Sequence, residues 1–283
     1  MFKIYLRFWQ VNWAEQWQYR ANLVMYLLFW LVSPVVYLAV WVTIANSRGS
    51  VSGLTANDFI TYYMTLLVVD MLTSEITIYI LAYKIQDGTL SGELLRPVHP
   101  ILTGALVNNL AFKALQLLAF VPIWAVLFLL FRPDYAGVTI GSVLLALPGI
   151  LLGFWMSFLF GSIITCLAFW TTRVYSISQF YSLVVIMLSG QFVPLQLMPP
   201  TIQTAAQFLP FQMFRYVPVE IILNRLPPDA ILRGYAISLL WLVILSNVVH
   251  GFAYACFFAA VYIFVNLLVD ITYGWLDPRI RYS

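Results

Sequence analysis

Residues 23–45 read LVMYLLFWLVSPVVYLAVWVTIA, from Leu23 to Ala45, without one formal charge and with a single proline, Pro34. A helix crossing about 30 Å of hydrocarbon needs roughly 20 apolar residues. This stretch meets that length, and the rest of the 283-residue chain resembles it in composition: 63% hydrophobic and 9% charged. Globular domains carry about 25% charged residues. With a mean hydropathy of +0.91, too few charges exist to solvate a soluble surface, and disorder is excluded for the same reason. Backbone groups in lipid must be satisfied internally, so the expected fold is an all-α integral membrane bundle. The net charge is only +3 and no basic run occurs, which leaves nucleic acid no surface to bind. Cys166 and Cys256 both fall in apolar runs and indicate no disulfide framework.

Further apolar stretches follow at 59–83, 103–131, 138–170, 178–197 and 230–269. With 23–45 they make six spans in one transmembrane domain, 1–283. The fourth is long and is expected to break at Pro148-Gly149. The last holds 40 residues, about 60 Å of helix and twice the hydrocarbon thickness. It reads as one long helix, with two short passes broken near His250-Gly251 as the alternative. Residues 1–20 contain Lys3, Arg7, Glu15 and Arg20 and no apolar core of a signal peptide, so the first span is expected to be a retained anchor. With the N-terminus inside, eight Lys and Arg lie on the inner side and five on the outer, which favours a cytoplasmic N-terminus.

Three segments outside the spans carry further information. In residues 2–18, Phe2, Tyr5, Leu6, Trp9, Trp13 and Trp17 share one 120° sector of a helix. Such a helix lies flat in the membrane interface, as an anchor or as a gate on the lipid side. Between spans two and three, Asp87-Gly88 signals a turn, Leu90 and Leu94 stand one helical step apart, and Pro97 ends the helix. Those leucines either dip into the lipid interface or dock a soluble partner. After span five, Pro194, Pro199, Pro200, Pro210 and Pro218 forbid a continuous helix, yet the region stays apolar. It reads as an outer re-entrant segment over 198–229, or as a simple amphipathic outer loop.

At these residues the chain resembles the membrane-spanning subunits of ABC-2-type ABC transporters. One matching stretch is Gly88-Thr89-Leu90 with Glu93-Leu94-Leu95-Arg96-Pro97. Another is Leu167-Ala168-Phe169-Trp170, then Ser189-Gly190 to Pro194-Leu195, Pro199, Leu209-Pro210-Phe211 and Pro218. The resemblance implies a dimer of permeases, from two copies or with a different permease, and two ATPase subunits docked from the cytoplasm. It implies that 84–97 is the coupling segment, with Leu90, Leu94 and Leu95 filling a groove on the ATPase and Glu93 or Arg96 pairing at its rim. It implies an outer gate at Gly190, Pro194, Pro199 and Pro210. ATP and magnesium would then bind the partner ATPase, because this chain has no G-x-x-x-x-G-K-[ST] phosphate loop. It also implies an exporter in a bacterial inner membrane. One departure is the apolar run to Val269, where relatives commonly end in a short basic tail.

Three charges lie inside spans: Asp70, Glu75 and Lys113. A charge at the bilayer centre costs about 2.5–3.5 kcal/mol on insertion scales, so it is paired or lines a cavity. Asp70 lies about 20 Å of helix rise from Tyr83, and Lys113 about 18 Å from Ile101. Similar depth on antiparallel neighbours predicts an Asp70–Lys113 pair. Glu75 either faces the translocation path or snorkels. His99 and His250 are isolated, and no metal set converges on them. A proton-coupled secondary transporter using Asp70, Glu75 and Lys113 remains the alternative, although internal repeats are missing. A membrane scaffold and a lipid-directed enzyme are the other classes; the latter lacks any cluster of nucleophile, base or metal ligands. The aromatic content suits either an amphipathic cargo or interfacial belts.

Overall fold

The computed structural model of the protein describes residues 2–90, 92 and 105–251. The described residues are helical, with no β-strand among them. Helix α1 covers Phe2–Gln18 and α2 covers Arg20–Arg48. Helix α3 (Ala56–Thr73) starts where Thr55 and Asp58 form a capping box. The Asp58 carboxylate accepts from the Thr55 amide at 2.9 Å, and the Thr55 hydroxyl accepts from the Asp58 amide at 3.3 Å.

The expected second span is not one helix. Its regular ladder ends with the Ser74 amide on the Asp70 carbonyl at 2.8 Å. Ser74 then turns extended, and α4 begins only at Thr77, running to Gln86. Neither proline nor glycine forces this break. Lys113 of the next long helix and Glu75, within the break itself, satisfy the two new helix ends, as described below.

Helix α5 covers Val107–Phe131 and α6 covers Ile140–Cys166, which opens with a second capping box between Thr139 and Ser142. Contrary to expectation, Pro148-Gly149 does not break α6. The Tyr235 hydroxyl donates to the Leu145 carbonyl at 2.5 Å, one residue beyond the Leu144 carbonyl that Pro148 leaves without its ladder partner. Gly149 makes room for that ring, since a Cβ there would lie 3.1 Å from the Tyr235 hydroxyl oxygen.

Helix α7 covers Val174–Leu188, α8 Pro200–Phe208 and α9 Tyr216–Ile222. Helix α10 covers Pro228–Gly251. Among the described residues five helices are long and apolar enough to cross a membrane: Val24–Arg48, the broken Ala56–Gln86, Val107–Phe131, Ile140–Phe169 and Pro228–Gly251. The stretch expected as a fifth span over 178–197 is the 15-residue α7, which rises only about 22 Å. It stops early because Gly190 takes a left-handed φ of +79° and reverses the chain. The run expected over 230–269 is helical to Gly251, and its remainder lies outside the described residues.

The core forms around α3. Phe59, Tyr62, Tyr63, Leu66 and Val69 pack against Leu38 of α2, Ile150 of α6 and Val219 of α9. The N-terminal helix packs on α5. Trp13 meets Phe112 and Leu115, and Asn108 donates to the Asn12 side-chain oxygen at 3.0 Å. Leu6 and Trp17 of the same apolar sector stay exposed.

Candidate functional site

The charged residues singled out by the sequence converge where α3 ends, but with different partners from those expected. Asp70, in the last turn of α3, has no solvent exposure. Its Oδ1 accepts from Nε of Arg215, which precedes α9. Arg215 also donates through an Nη nitrogen to the Ser189 hydroxyl at 3.2 Å. No Asp70–Lys113 ion pair forms. The antiparallel depth argument was sound for the helices, but it could not see Arg215, which reaches Asp70 from 145 residues away.

Lys113 takes another role. Its Nζ donates to the Met71 carbonyl at 2.8 Å and approaches the Ser74 hydroxyl at 3.4 Å. It also lies 5.5 Å from the centroid of the Phe154 ring. The Met71 carbonyl is among the four at the end of α3 that have no partner within the helix. A cation there also opposes the negative end of the helix dipole. Glu75 does the converse for α4: its carboxylate accepts from the Thr77 amide at 2.5 Å, at the positive end. The break in the second span is therefore capped by one charge of each sign. Glu75 lies against Gly161 of α6, where any Cβ would overlap the carboxylate.

A cavity of about 230 Å³ opens beside this break. Asp70, Ser74, Glu75 and Arg215 supply its charged and polar wall, and Ser157, Ser182 and Gln191 add polar groups. Rings come from Tyr26 and Trp30 of α2, Tyr79 of α4, Tyr181 of α7 and Phe214. Tyr26 and Tyr79 are 40% and 50% exposed, which places them at the mouth. Lys113 does not line it.

Above this level the chain between α7 and α10 is tied to α3. The Tyr62 hydroxyl donates to the Gly190 carbonyl at 2.7 Å, and the Tyr63 hydroxyl to the Phe192 carbonyl at 2.8 Å. Gly190 is irreplaceable on two counts: its φ is positive, and a Cβ would lie 2.7 Å from the Tyr62 oxygen. The prolines singled out as a gate start short helical turns. Pro194 and Pro199 precede the turn Leu195–Leu197 and α8, and Pro210 opens the turn Pro210–Phe214. Sequence reasoning missed Glu220, which is 2% exposed. It lies outside the spanning helices, and burial pushes its carboxyl up to about 7, with Arg225 opposing and Asp58 reinforcing the shift.

Of the expected coupling residues, Gly88 adopts a φ of +76°. Leu90 and Gly92 are helical. Leu90 is 8% exposed and packs on Leu81, Ala105 and Phe158. Its apolar side chain finds a nearer cover in the chain's own helices. Glu93, Leu94, Leu95, Arg96 and Pro97 lie outside the described residues, as does His99. His250 is exposed, and its Nδ1 meets the Ser246 carbonyl of its own helix at 2.7 Å. No group of three or more His, Cys, Asp or Glu able to hold a metal occurs among the described residues.

Helices long and apolar enough to cross a membrane, gathered around a charged cavity, fit an integral membrane protein. The family model described as ABC-2 family transporter protein matches residues 21–260, and the chain belongs to that family. No curated protein matches the chain.

Proposed function

We propose that the chain is the permease subunit of an ATP-driven ABC exporter, forming the translocation path as a dimer and driven by separate ATPase subunits. The observation that carries this reading is the family match over 21–260. The charged cavity at the broken second span supports it, because irregular backbone at membrane depth is tolerated where protein or water covers it. ATP and magnesium belong to the partner ATPase. The coupling contact falls to Glu93, Leu94, Leu95, Arg96 and Pro97, with Gly88 turning the chain and Leu90 anchoring the segment to the permease itself. The segment over 198–229 is read as the outer re-entrant element. Arg215 then reaches Asp70, which lies about 21 Å of helix rise from Ala56. The N-terminus is cytoplasmic in this reading, in a bacterial inner membrane.

A proton-coupled transporter is the second reading, favoured by Asp70 and Glu75 on one cavity wall. One experiment separates the two. The intact chain and a Leu94→Asp, Leu95→Asp double variant that still inserts are captured from native membranes in mild detergent. Co-purification of an ATPase with the intact chain alone supports the exporter. Its absence from both overturns that reading, and any second permease would appear in the same sample.

A further inference from the structure

We infer that the cavity beside the α3–α4 break binds a small organic cation, an ammonium group carrying an apolar substituent. This deepens the permease reading by naming the class of ligand that its path accepts. The first ground is an incomplete carboxylate. Asp70 is fully buried and lines the cavity, Arg215 occupies its Oδ1, and its Oδ2 has no hydrogen-bond partner. An ionised carboxylate offers about four acceptor sites, and a buried one left short is costly. Something that brings positive charge to Oδ2 removes that cost.

The second ground is the balance of charged groups on the wall. Two carboxyl side chains, Asp70 and Glu75, face one guanidinium. Lys113 is close by but is turned away, spent on the end of α3. Arg215 gives two of its five donors to Asp70 and Ser189, and its charge is met by the Asp70 carboxylate, which leaves Glu75 as the carboxyl group on the wall without a cation in salt-bridge contact. The third ground is the rest of the lining. Tyr26, Trp30, Tyr79, Tyr181 and Phe214 offer aromatic surface, which attracts cations through the ring quadrupole and also covers an apolar substituent. The volume of about 230 Å³ falls below the usual 300–1,000 Å³ of drug-sized sites, so the ligand is small.

The test uses the full chain in maltoside micelles and tritiated benzyltrimethylammonium in equilibrium dialysis. Competitors are the unlabelled cation, neopentylbenzene of the same shape without charge, and benzenesulfonate. Saturable binding that the cation displaces at least tenfold better than either competitor is expected. Glu75→Gln and Tyr79→Leu are expected to weaken it at least fivefold while keeping the helical circular dichroism of the parent chain. Neither variant removes the Asp70–Arg215 pair. Leu129→Ala, on the outward face of α5, should bind as the parent does. Displacement by neopentylbenzene as good as by the cation overturns the proposal, as does binding equal to that of empty micelles or unchanged in both cavity variants. No ATPase takes part, so failure here leaves the exporter reading to its own capture experiment.

Discussion

The second span and α5 are neighbours of similar purpose and opposite surroundings. Both are long and apolar enough to cross a membrane, yet 61% of the most apolar window of Ala56–Gln86 is buried in the protein, against 17% for Val107–Phe131. The first carries Tyr62, Tyr63, Asp70 and Glu75 and is broken in the middle. The second turns Leu118, Leu129 and Leu130 outward. Hydropathy therefore separates helices that cross from those that do not. The polar content of a span separates the helix at the centre of the bundle from the helix at its edge. Lipid cannot solvate a carboxylate or an open backbone group, so a helix carrying either must be covered by protein. The polar residues of α5, Asn109, Lys113 and Gln116, are all buried in its first half, and Lys113 leans back to the end of α3.

The largest effect that would break this contrast is at the buried ion pair. Arg215→Leu should destabilise the chain by about 3–5 kcal/mol, because it strands Asp70 as an unpaired buried charge. Asp70→Leu with Arg215→Leu should recover most of that loss, since an apolar pair removes both desolvation costs. Thermal melting in detergent reads both, and a single variant as stable as the parent would show that the centre of the bundle does not depend on the pair.

Next comes Glu220, which sharpens the contrast at the first turn of α3. Its carboxyl faces Asp58, Arg225, Tyr62 and Tyr216, and its pKa is raised from an ordinary 4.5 to about 7 in the folded chain. Below pH 4.5 both folded and unfolded states hold the proton, and stability is greatest. Between 4.5 and 7 the unfolded state releases it first, so stability falls as pH rises, by about 3 kcal/mol in all. Above 7 the loss is complete. Glu220→Gln should flatten this part of the melting profile, and an unchanged slope would mean that another group titrates there.

Gly161→Ala follows, with a cost of about 1–3 kcal/mol, because the new methyl overlaps the Glu75 carboxylate that caps α4. Adding Glu75→Ala should return much of the packing cost, and non-additive melting shifts are the sign to look for. Smallest is Leu129→Ala, on an outward face that is 73% exposed. A shift within about 0.5 kcal/mol is expected, and a loss of several would place that face of α5 against protein.

Much of the architecture could be read from residue order, and the charged site only in part. Asp70, Glu75 and Lys113 stood out because a charge in an apolar run must be explained by protein. Their pairing did not, because Arg215 lies in the proline-rich stretch read as an outer re-entrant segment, apart from the spans that carry the other charges. Leu90 was legible as a helical residue after a turn at Gly88, but its cover by Leu81, Ala105 and Phe158 was not. Glu220 gave one weak signal, a lone carboxylate in the apolar run Val217 to Leu223. Pro148 was misjudged as a break, since one missing ladder bond did not stop α6 from running Ile140–Cys166.

The sequence by itself determined that the chain is an all-α membrane protein, where its long apolar helices lie, and which family it resembles. Those properties follow from local composition measured against the thickness and polarity of hydrocarbon. Tertiary structure alone decided which cation meets Asp70 and which one caps the end of α3 where the second span breaks without proline or glycine. Both depend on a side chain carried in from a distant part of the chain to satisfy a group that lipid cannot.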